Sequence, residues 1–390
     1  MNNPPRILIV DDEPYNVDYL QQELSDRDFE LTAAFDGKEA LEKIRAASPD
    51  LVLLDIMMPV MDGFAVLEQV KADAATRDIP VIVISASNDL KSVVKGIQQG
   101  AEDYLPKPFE PTILHARIRA SLERKRLRDQ EQLYLKGLER ELEIGREIQK
   151  GFLPAELPRA EGWEIAAYFK AAREVGGDFY DAFHLPDGTL GLVIGDVCGK
   201  GVGAALFMTL FRSLIRAAAT AEFFTQETDA QEPVAARLER SISLANDYIA
   251  KTHGKTGMFA TVFFGILDPK NGLLTYVNAG HEPPVIVKSG GAQSFLPKTG
   301  LAIGLFAGLK FAQKTHQIES GDLIFVFTDG APECKNPRGE FFGREQLLAL
   351  LDPKIESAGT LLREIETRLR DHIAEAEQFD DITMLAARRL

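Results

Sequence analysis

Two cysteines in 390 residues, Cys198 and Cys334, cannot build a disulfide framework, so a reducing compartment is expected. Basic residues are also short: 44 Lys and Arg stand against 59 Asp and Glu, for a formal net charge of −15. A nucleic-acid-binding domain usually shows a basic face, and this balance argues against one. Carboxylate clusters that hold divalent cations fit it, as does acidity that only keeps the chain soluble. No apolar run approaches ~20 residues, so no membrane span is expected. The opening stretch MNNPPRILIVDDEP lacks the basic segment and long apolar core of a signal peptide. These absences lead us to expect a cytoplasmic protein with neither nucleic acid nor membrane as partner. What remains is ordinary for a globular chain, 45% hydrophobic and 26% charged, and the length suggests two or three domains.

Short aliphatic runs alternate with helical spacing over the first ~120 residues, as in parallel α/β domains. Residues 7–10, 51–54 and 81–84 read as strands buried on both faces, while Ala40, Leu41 and Ile44 follow a helix. From about His115 to Lys150 no proline interrupts a Glu-, Arg-, Lys-, Gln- and Leu-rich stretch. Leu114, Ile118 and Leu122, then Leu135, Leu138 and Leu142, keep a 3–4 spacing that predicts a long helix. Pairing with a second copy as a coiled coil is one reading of it, although Gly145 weakens the seam; a monomeric helix packed on its own domains is the other. Beyond Pro154 and Pro158, strands are predicted at 191–195, 260–266, 274–277 and 323–327, helices at 202–220 and 357–375, and a polar surface loop at 225–231.

Chemistry concentrates at strand ends. Asp11 and Asp12 follow the first strand, Asp55 the second, Ser85 the third, and Lys107 a further strand before Pro108. In an open parallel sheet those carboxyl ends share one edge, so three carboxylates, a hydroxyl and an ammonium converge. The acids suit Mg²⁺, Asp55 offers a nucleophilic oxygen for an aspartyl-phosphate, and Lys107 can pair with phosphoryl oxygens. The motifs IVDDEP, LLDIMMPVMDG, ISA and KPF over roughly residues 5–125 resemble the response-regulator receiver family. The resemblance implies a doubly wound, five-stranded parallel domain with Asp55 as phosphoacceptor. It also implies Mg²⁺ on Asp12, Asp55 and the Met57 carbonyl, with Asp11 in the same acidic pocket. A cis Lys107–Pro108 peptide, a signal through Ser85 and Tyr104, and a sensor histidine kinase as partner complete what it implies.

A second set of acids spreads over the C-terminal part: Asp178 in VGGDF, Asp196 in IGDVCGKG, Asp329 in FTDG, and the pair Asp380 and Asp381 in FDDIT. Glycines beside Asp178, Asp196 and Asp329 let backbone approach a ligand closely. Hard-cation sites need such carboxylates, and two cations ~4 Å apart could bridge a hydroxide and neutralise a phosphate ester. The motifs EIQKGFLP, REVGGDFYD, GDVCGKGVGAALFM, YVNAGHEPP, FTDGAPE and FDDITML resemble the metal-dependent PPM/PP2C-type phosphatases, in particular their bacterial sporulation and stress-response branch. The resemblance implies an αββα sandwich of α+β class with two Mn²⁺ or Mg²⁺ at Asp178, Asp196, the Val197 carbonyl, Asp329 and Asp380, the first acid of the pair being preferred over Asp381. It further implies hydrolysis of phosphoserine or phosphothreonine on a protein, a STAS-type anti-sigma-factor antagonist being the expected substrate. The domains are then 1–125 (receiver), 126–152 (helical linker) and 153–390 (phosphatase).

Some residues depart from that pattern or carry weaker signals. Cys198 stands where eukaryotic-type enzymes have a histidine, and a small buried side chain is the plainer reading of it. Arg173 could clamp phosphate or pair with Glu174; Lys200 could contact phosphate or be solvated; His281 reads as an ordered turn residue. VGGDF lacks the glutamate of a diguanylate cyclase signature, with Phe179 in its place. A silent, phosphorylation-gated adaptor is the alternative to an enzyme. Persistence of all four carboxylates favours the enzyme.

Overall fold

The computed structural model describes residues 4–25, 28–86, 90–221, 233–352, 354 and 357–390. The loop expected at 225–231 lies outside the described residues. The chain divides into two compact units, 1–138 and 139–390.

In the first unit, strands β1 (Arg6–Val10), β2 (Glu30–Ala34), β3 (Leu51–Asp55), β4 (Val81–Ser85) and β5 (Asp103–Pro106) form one parallel sheet in the order β2-β1-β3-β4-β5. Side chains alternate between its faces. Leu8, Val10, Val52, Leu54, Val81 and Val83 pack with helices α2 (Gly37–Ala47) and α3 (Gly63–Ala72). Ile7, Ile9, Leu51, Leu53, Ile82 and Ile84 pack with α1 (Pro14–Ser25) and the start of α5 (Pro111–Phe152). Helix α4 (Leu90–Gln98) precedes β5. The continuous aliphatic runs therefore arise because both faces are covered. Asp36 and Asp62 cap α2 and α3 by accepting from the Glu39 and Ala65 amides.

Helix α5 is 42 residues long and crosses from one unit into the other. Leu114 and Ile118 are buried, whereas Leu135 and Leu138, in the stretch read as a seam, are 50% and 39% exposed.

The second unit is a sandwich of two five-stranded antiparallel sheets. One has the order β13-β10-β9-β8-β7, from β7 (Phe179–His184), β8 (Leu190–Val197), β9 (Ala260–Leu267), β10 (Leu273–Ala279) and β13 (Lys314–Gln317). The other has the order β12-β11-β14-β15-β6, from β6 (Trp163–Lys170), β11 (Val285–Val287), β12 (Gln293–Phe295), β14 (Leu323–Phe327) and β15 (Ile382–Arg389). Leu192, Ile194, Phe263, Tyr276, Ile324, Val326 and Leu385 fill the space between the sheets. Val193, Phe264 and Val277 turn outward beneath α6 (Val202–Thr220) and α7 (Val234–His253). Phe325, Phe327 and Met384 do so beneath α9 (Ala358–Ile373), with α8 (Arg344–Ala349) beside them. The order helix, sheet, sheet, helix is the αββα sandwich of the sequence reading. Helix α6 is the one described helix long and apolar enough to cross a membrane, and Met208, Phe211 and Ile215 on it are buried in this domain.

At the Asp329–Gly330 turn the chain passes so close to β15 that a Cβ on Gly330 would lie 1.9 Å from the Asp381 carbonyl oxygen. Gly330→Ala should cost about 3 kcal/mol, the upper end for overpacking. Calorimetry should show the melting of the second unit fall by several degrees.

Candidate functional site

The carboxyl-end edge of the parallel sheet gathers the first set of predicted residues. Lys107 Nζ lies 2.7 Å from Asp11 Oδ2 and 3.0 Å from Asp55 Oδ1. The other Asp11 oxygen accepts from the Glu13 amide at 3.0 Å and Asn16 Nδ2 at 2.9 Å. Asp55 Oδ2 accepts from the Met57 amide at 2.9 Å. Asp11, Asp12 and Asp55 each offer an oxygen, all within 4.8 Å of one another. Burial raises the Asp55 pKa and outweighs the opposing pull of Lys107. Burial acts to lower the Lys107 pKa, but its bonds to Asp11 and Asp55 prevail and raise it. Ser85, at the end of β4, and Tyr104, within β5, are buried, and the Lys107–Pro108 peptide is cis. Three hard oxygen donors around one ammonium fit a small divalent cation.

The second set meets where the two sheets of the sandwich face each other. Asp178 is fully buried, and its Oδ2 accepts from both Thr328 Oγ1 and Thr383 Oγ1 at 2.6 Å. The Thr383 amide donates to Thr328 Oγ1 at 3.0 Å, tying the pair together. Burial, then repulsion from Asp196 and Asp381, holds the Asp178 carboxyl well above the usual range. Asp196 is pushed up to about 7 by burial and by Asp329 and Asp380. Asp329 rises to about 6 from burial and the Asp380 charge. Carboxylates that repel each other in a buried place are relieved by a cation. The four do not close as tightly as the receiver trio. Among the described residues, only Asp11, Asp12 and Asp55 form a group with ligand atoms all within 4.8 Å. The Val197 carbonyl lies against Gly177, where a Cβ would come within 2.8 Å of it.

Asp381 differs from Asp380. Its Oδ1 accepts from the Ala172 amide at 2.7 Å, and its Oδ2 from the Gly177 and Asp178 amides at 2.6 and 3.3 Å. Its oxygens are thus occupied by backbone. Asp380 Oδ2 is 2.9 Å from Lys200 Nζ, which also donates to the Phe379 carbonyl and lies 4.0 Å from the Phe379 ring centre. Lys200 is thus exposed to solvent while its ammonium pairs with a neighbouring carboxylate. Arg173 is exposed and forms no ion pair among the described residues, with Glu174 or otherwise. Cys198 is half-buried rather than buried, its Sγ accepting from the Phe259 amide at 3.3 Å.

Four contacts escaped the sequence reading: Thr328, Thr383, the backbone grip of Asp381, and Gln149. The Gln149 side chain, at the end of α5, bonds both ways to Gly176, accepting from its amide at 3.0 Å and donating to its carbonyl at 2.5 Å. The neighbouring EIQ and DDIT motifs held these residues, but their partners depend on long-range register.

Sites and folds together define a two-domain chain, a receiver followed by a phosphatase-type sandwich. Residues 186–390 match the family model for Stage II sporulation protein E (SpoIIE), and residues 7–119 match the response regulator receiver domain. The chain belongs to the SpoIIE family. It is 43% identical over 268 residues to Protein IcfG of Synechocystis sp., which covers 64% of this chain and 41% of that protein. It is 43% identical over 115 residues to Response regulator PleD of Caulobacter vibrioides, covering 30% of this chain and 25% of that one. The chain thus spans less than half the length of these relatives. The SiaA-PP2C domain of Pseudomonas aeruginosa shares the fold, with a TM-score of 0.54 at 22% identity over 65% of this chain and 98% of that domain. The RsbU and RsbW domains of Rv1364c from Mycobacterium tuberculosis superpose with a TM-score of 0.50 at 26% identity, over 61% and 63% of the two chains.

His281 follows the turn after β10, with Nδ1 2.9 Å from Thr261 Oγ1 and Nε2 buried without a hydrogen-bond partner. Burial, helped by Lys298, lowers its pKa to about 3. A histidine kept neutral when folded takes up its proton more readily when unfolded. Its contribution is therefore present above the ordinary value near pH 6.5 and is lost as pH falls toward 3. His281→Gln should reduce the loss of stability between pH 6 and 4, which for one such group is ~1.4 kcal/mol per pH unit. Chemical denaturation at stepped pH measures it. Equal slopes in both proteins would exclude His281 as the source.

Proposed function

We propose that this chain is a response regulator in which phosphorylation of Asp55 controls metal-dependent hydrolysis of phosphoserine or phosphothreonine on a partner protein. The observation that carries the reading is the convergence of Asp178, Asp196, Asp329 and Asp380, from four separate segments, in a place where burial and mutual repulsion raise the pKa of the first three. Those carboxylates and the Val197 carbonyl would hold two Mn²⁺ or Mg²⁺. Asp11, Asp12, Asp55 and the Met57 carbonyl would hold Mg²⁺ in the receiver. Bound cations supply Lewis-acid neutralisation of the phosphate ester and lower the pKa of water.

The chain's own groups prepare that chemistry. Thr328 and Thr383 lock the orientation of Asp178, and second-sphere partners of this kind typically govern metal affinity 10–100-fold. Asp381 fixes the 172–178 segment in front of the site. Cys198 leaves no imidazole to protonate the departing serine oxygen, so that proton must come from water or another group. In the receiver, Lys107 neutralises incoming phosphoryl charge beside Asp55. Residues 1–125, 126–152 and 153–390 would act as receiver, linker and phosphatase. Gln149 gives the linker helix a direct hold on the loop that carries Asp178. A sensor histidine kinase would supply the phosphoryl group, and a STAS-type anti-sigma-factor antagonist would be the substrate. The exposed Leu135 and Leu138 suit a homodimer through α5.

The test uses the full chain with Mn²⁺ and a serine-phosphorylated STAS protein, with and without beryllofluoride. Turnover should appear and change with the mimic. Asp196→Asn should abolish it, and Asp55→Asn should remove only the response to the mimic. Metal binding with no turnover in either state would favour the silent adaptor. Gln149→Ala should raise the Mn²⁺ concentration needed for half-maximal turnover and shrink the beryllofluoride response. An unchanged Mn²⁺ titration would separate α5 from the metal loop.

A further inference from the structure

Besides Arg173, a second cation beside the phosphatase site lacks the ion-pair partner that three of its neighbours have. Lys200 pairs with Asp380, Arg338 with Glu340 at 3.0 Å, and Arg344 with Glu282. Lys335, six positions after Asp329, forms no ion pair among the described residues and is half-buried. Its ammonium lies instead over two aromatic rings, 4.3 Å from the centre of Phe379 and 5.0 Å from that of Phe341. A bridge between Lys335 and Phe341 fixes the backbone beneath this arrangement. The rings are 48% and 54% exposed, so the cation is carried at the surface. The Phe379 ring also carries the Lys200 ammonium that reaches Asp380. Lys335 therefore stands one ring away from the proposed metal site.

Two aromatic faces attract an ammonium without neutralising it. The result is a positioned positive charge on a chain whose net charge is −15. Resting on the proposed phosphatase function, we propose that Lys335 is a specificity residue, binding an acidic side chain next to the phosphoserine of the protein substrate. The phosphate itself belongs nearer the carboxylate site, where Lys200 already stands on Asp380. A group held one ring further out reaches the residues flanking the phosphate. Phe341 and Phe379 offer apolar surface to the same stretch of peptide. Rim charges of this kind select among partners more than they add raw affinity.

The experiment compares two phosphoserine peptides that differ only in flanking residues, Glu in one and Gln in the other, on the full chain with Mn²⁺. Turnover gives the ratio of kcat/KM. Phosphonate analogues of the same peptides give the ratio of Kd by fluorescence anisotropy, with no dependence on turnover. The wild-type chain should prefer the Glu peptide by about fivefold, the upper end for an exposed charge pair, and 0.5 M salt should erase the preference. Lys335→Gln should bring the ratio close to one, and Lys335→Arg should keep it. Lys335→Glu should turn the preference toward a Lys-flanked peptide. Equal binding of both peptides by the wild-type chain would overturn the proposal, as would an undiminished ratio in Lys335→Gln. If neither peptide is hydrolysed, the phosphatase reading fails, while the anisotropy ratio still decides the role of Lys335.

Discussion

The grip of Asp381 on the 172–178 backbone is the contact on which the phosphatase-type site depends. One carboxylate takes three amides, from Ala172, Gly177 and Asp178, and thereby fixes where the Asp178 side chain starts. Charge-assisted bonds to backbone amides are stronger than neutral ones, and burial of this group removes the competition of water. Two threonines, Thr328 just after β14 and Thr383 in β15, then set the direction in which Asp178 points. Asp196 and Asp329 are added from the opposite sheet and from the turn after β14. The site is thus held by a frame of hydrogen bonds from three segments of the chain.

The receiver edge solves a related problem differently. Three carboxylates are brought together by strand ends, and an ammonium, Lys107, is placed among them. The cluster tolerates burial because that charge is internal. In the sandwich, the cation on the cluster's margin, Lys200, satisfies Asp380 alone. Repulsion among the remaining acids is left standing, as their raised pKa values register.

Much of this was legible in the sequence, for identifiable reasons. Buried strands such as Ile7–Val10 and Leu323–Phe327 announce themselves because both their faces are covered. Acids at their ends could be assigned to shared edges without coordinates. Strands β2 and β6 were not read, since they lie at sheet edges where their side chains are only partly buried. The partners of Asp178, the role of Gln149 and the capture of Lys200 by Asp380 were hidden for another reason. Each joins residues distant in sequence, through a register that local spacing does not encode. Cys198 and Lys200 show the limit of reading by residue type, because only their neighbours decide what they do.

The pairing of β6 with β15 bears on how the domain is made. In its sheet, β6 is hydrogen-bonded to β15 alone, and β15 comes near the end of the sequence. The bond from Gly177 to Asp381 likewise spans 204 positions. A chain emerging from the ribosome therefore holds Asp178 and Asp196 long before the elements that orient them exist. Such distant closures are slow steps in folding. The order of synthesis delays assembly of the acidic site until nearly the whole sandwich is available, so unfinished chains carry its residues without its geometry.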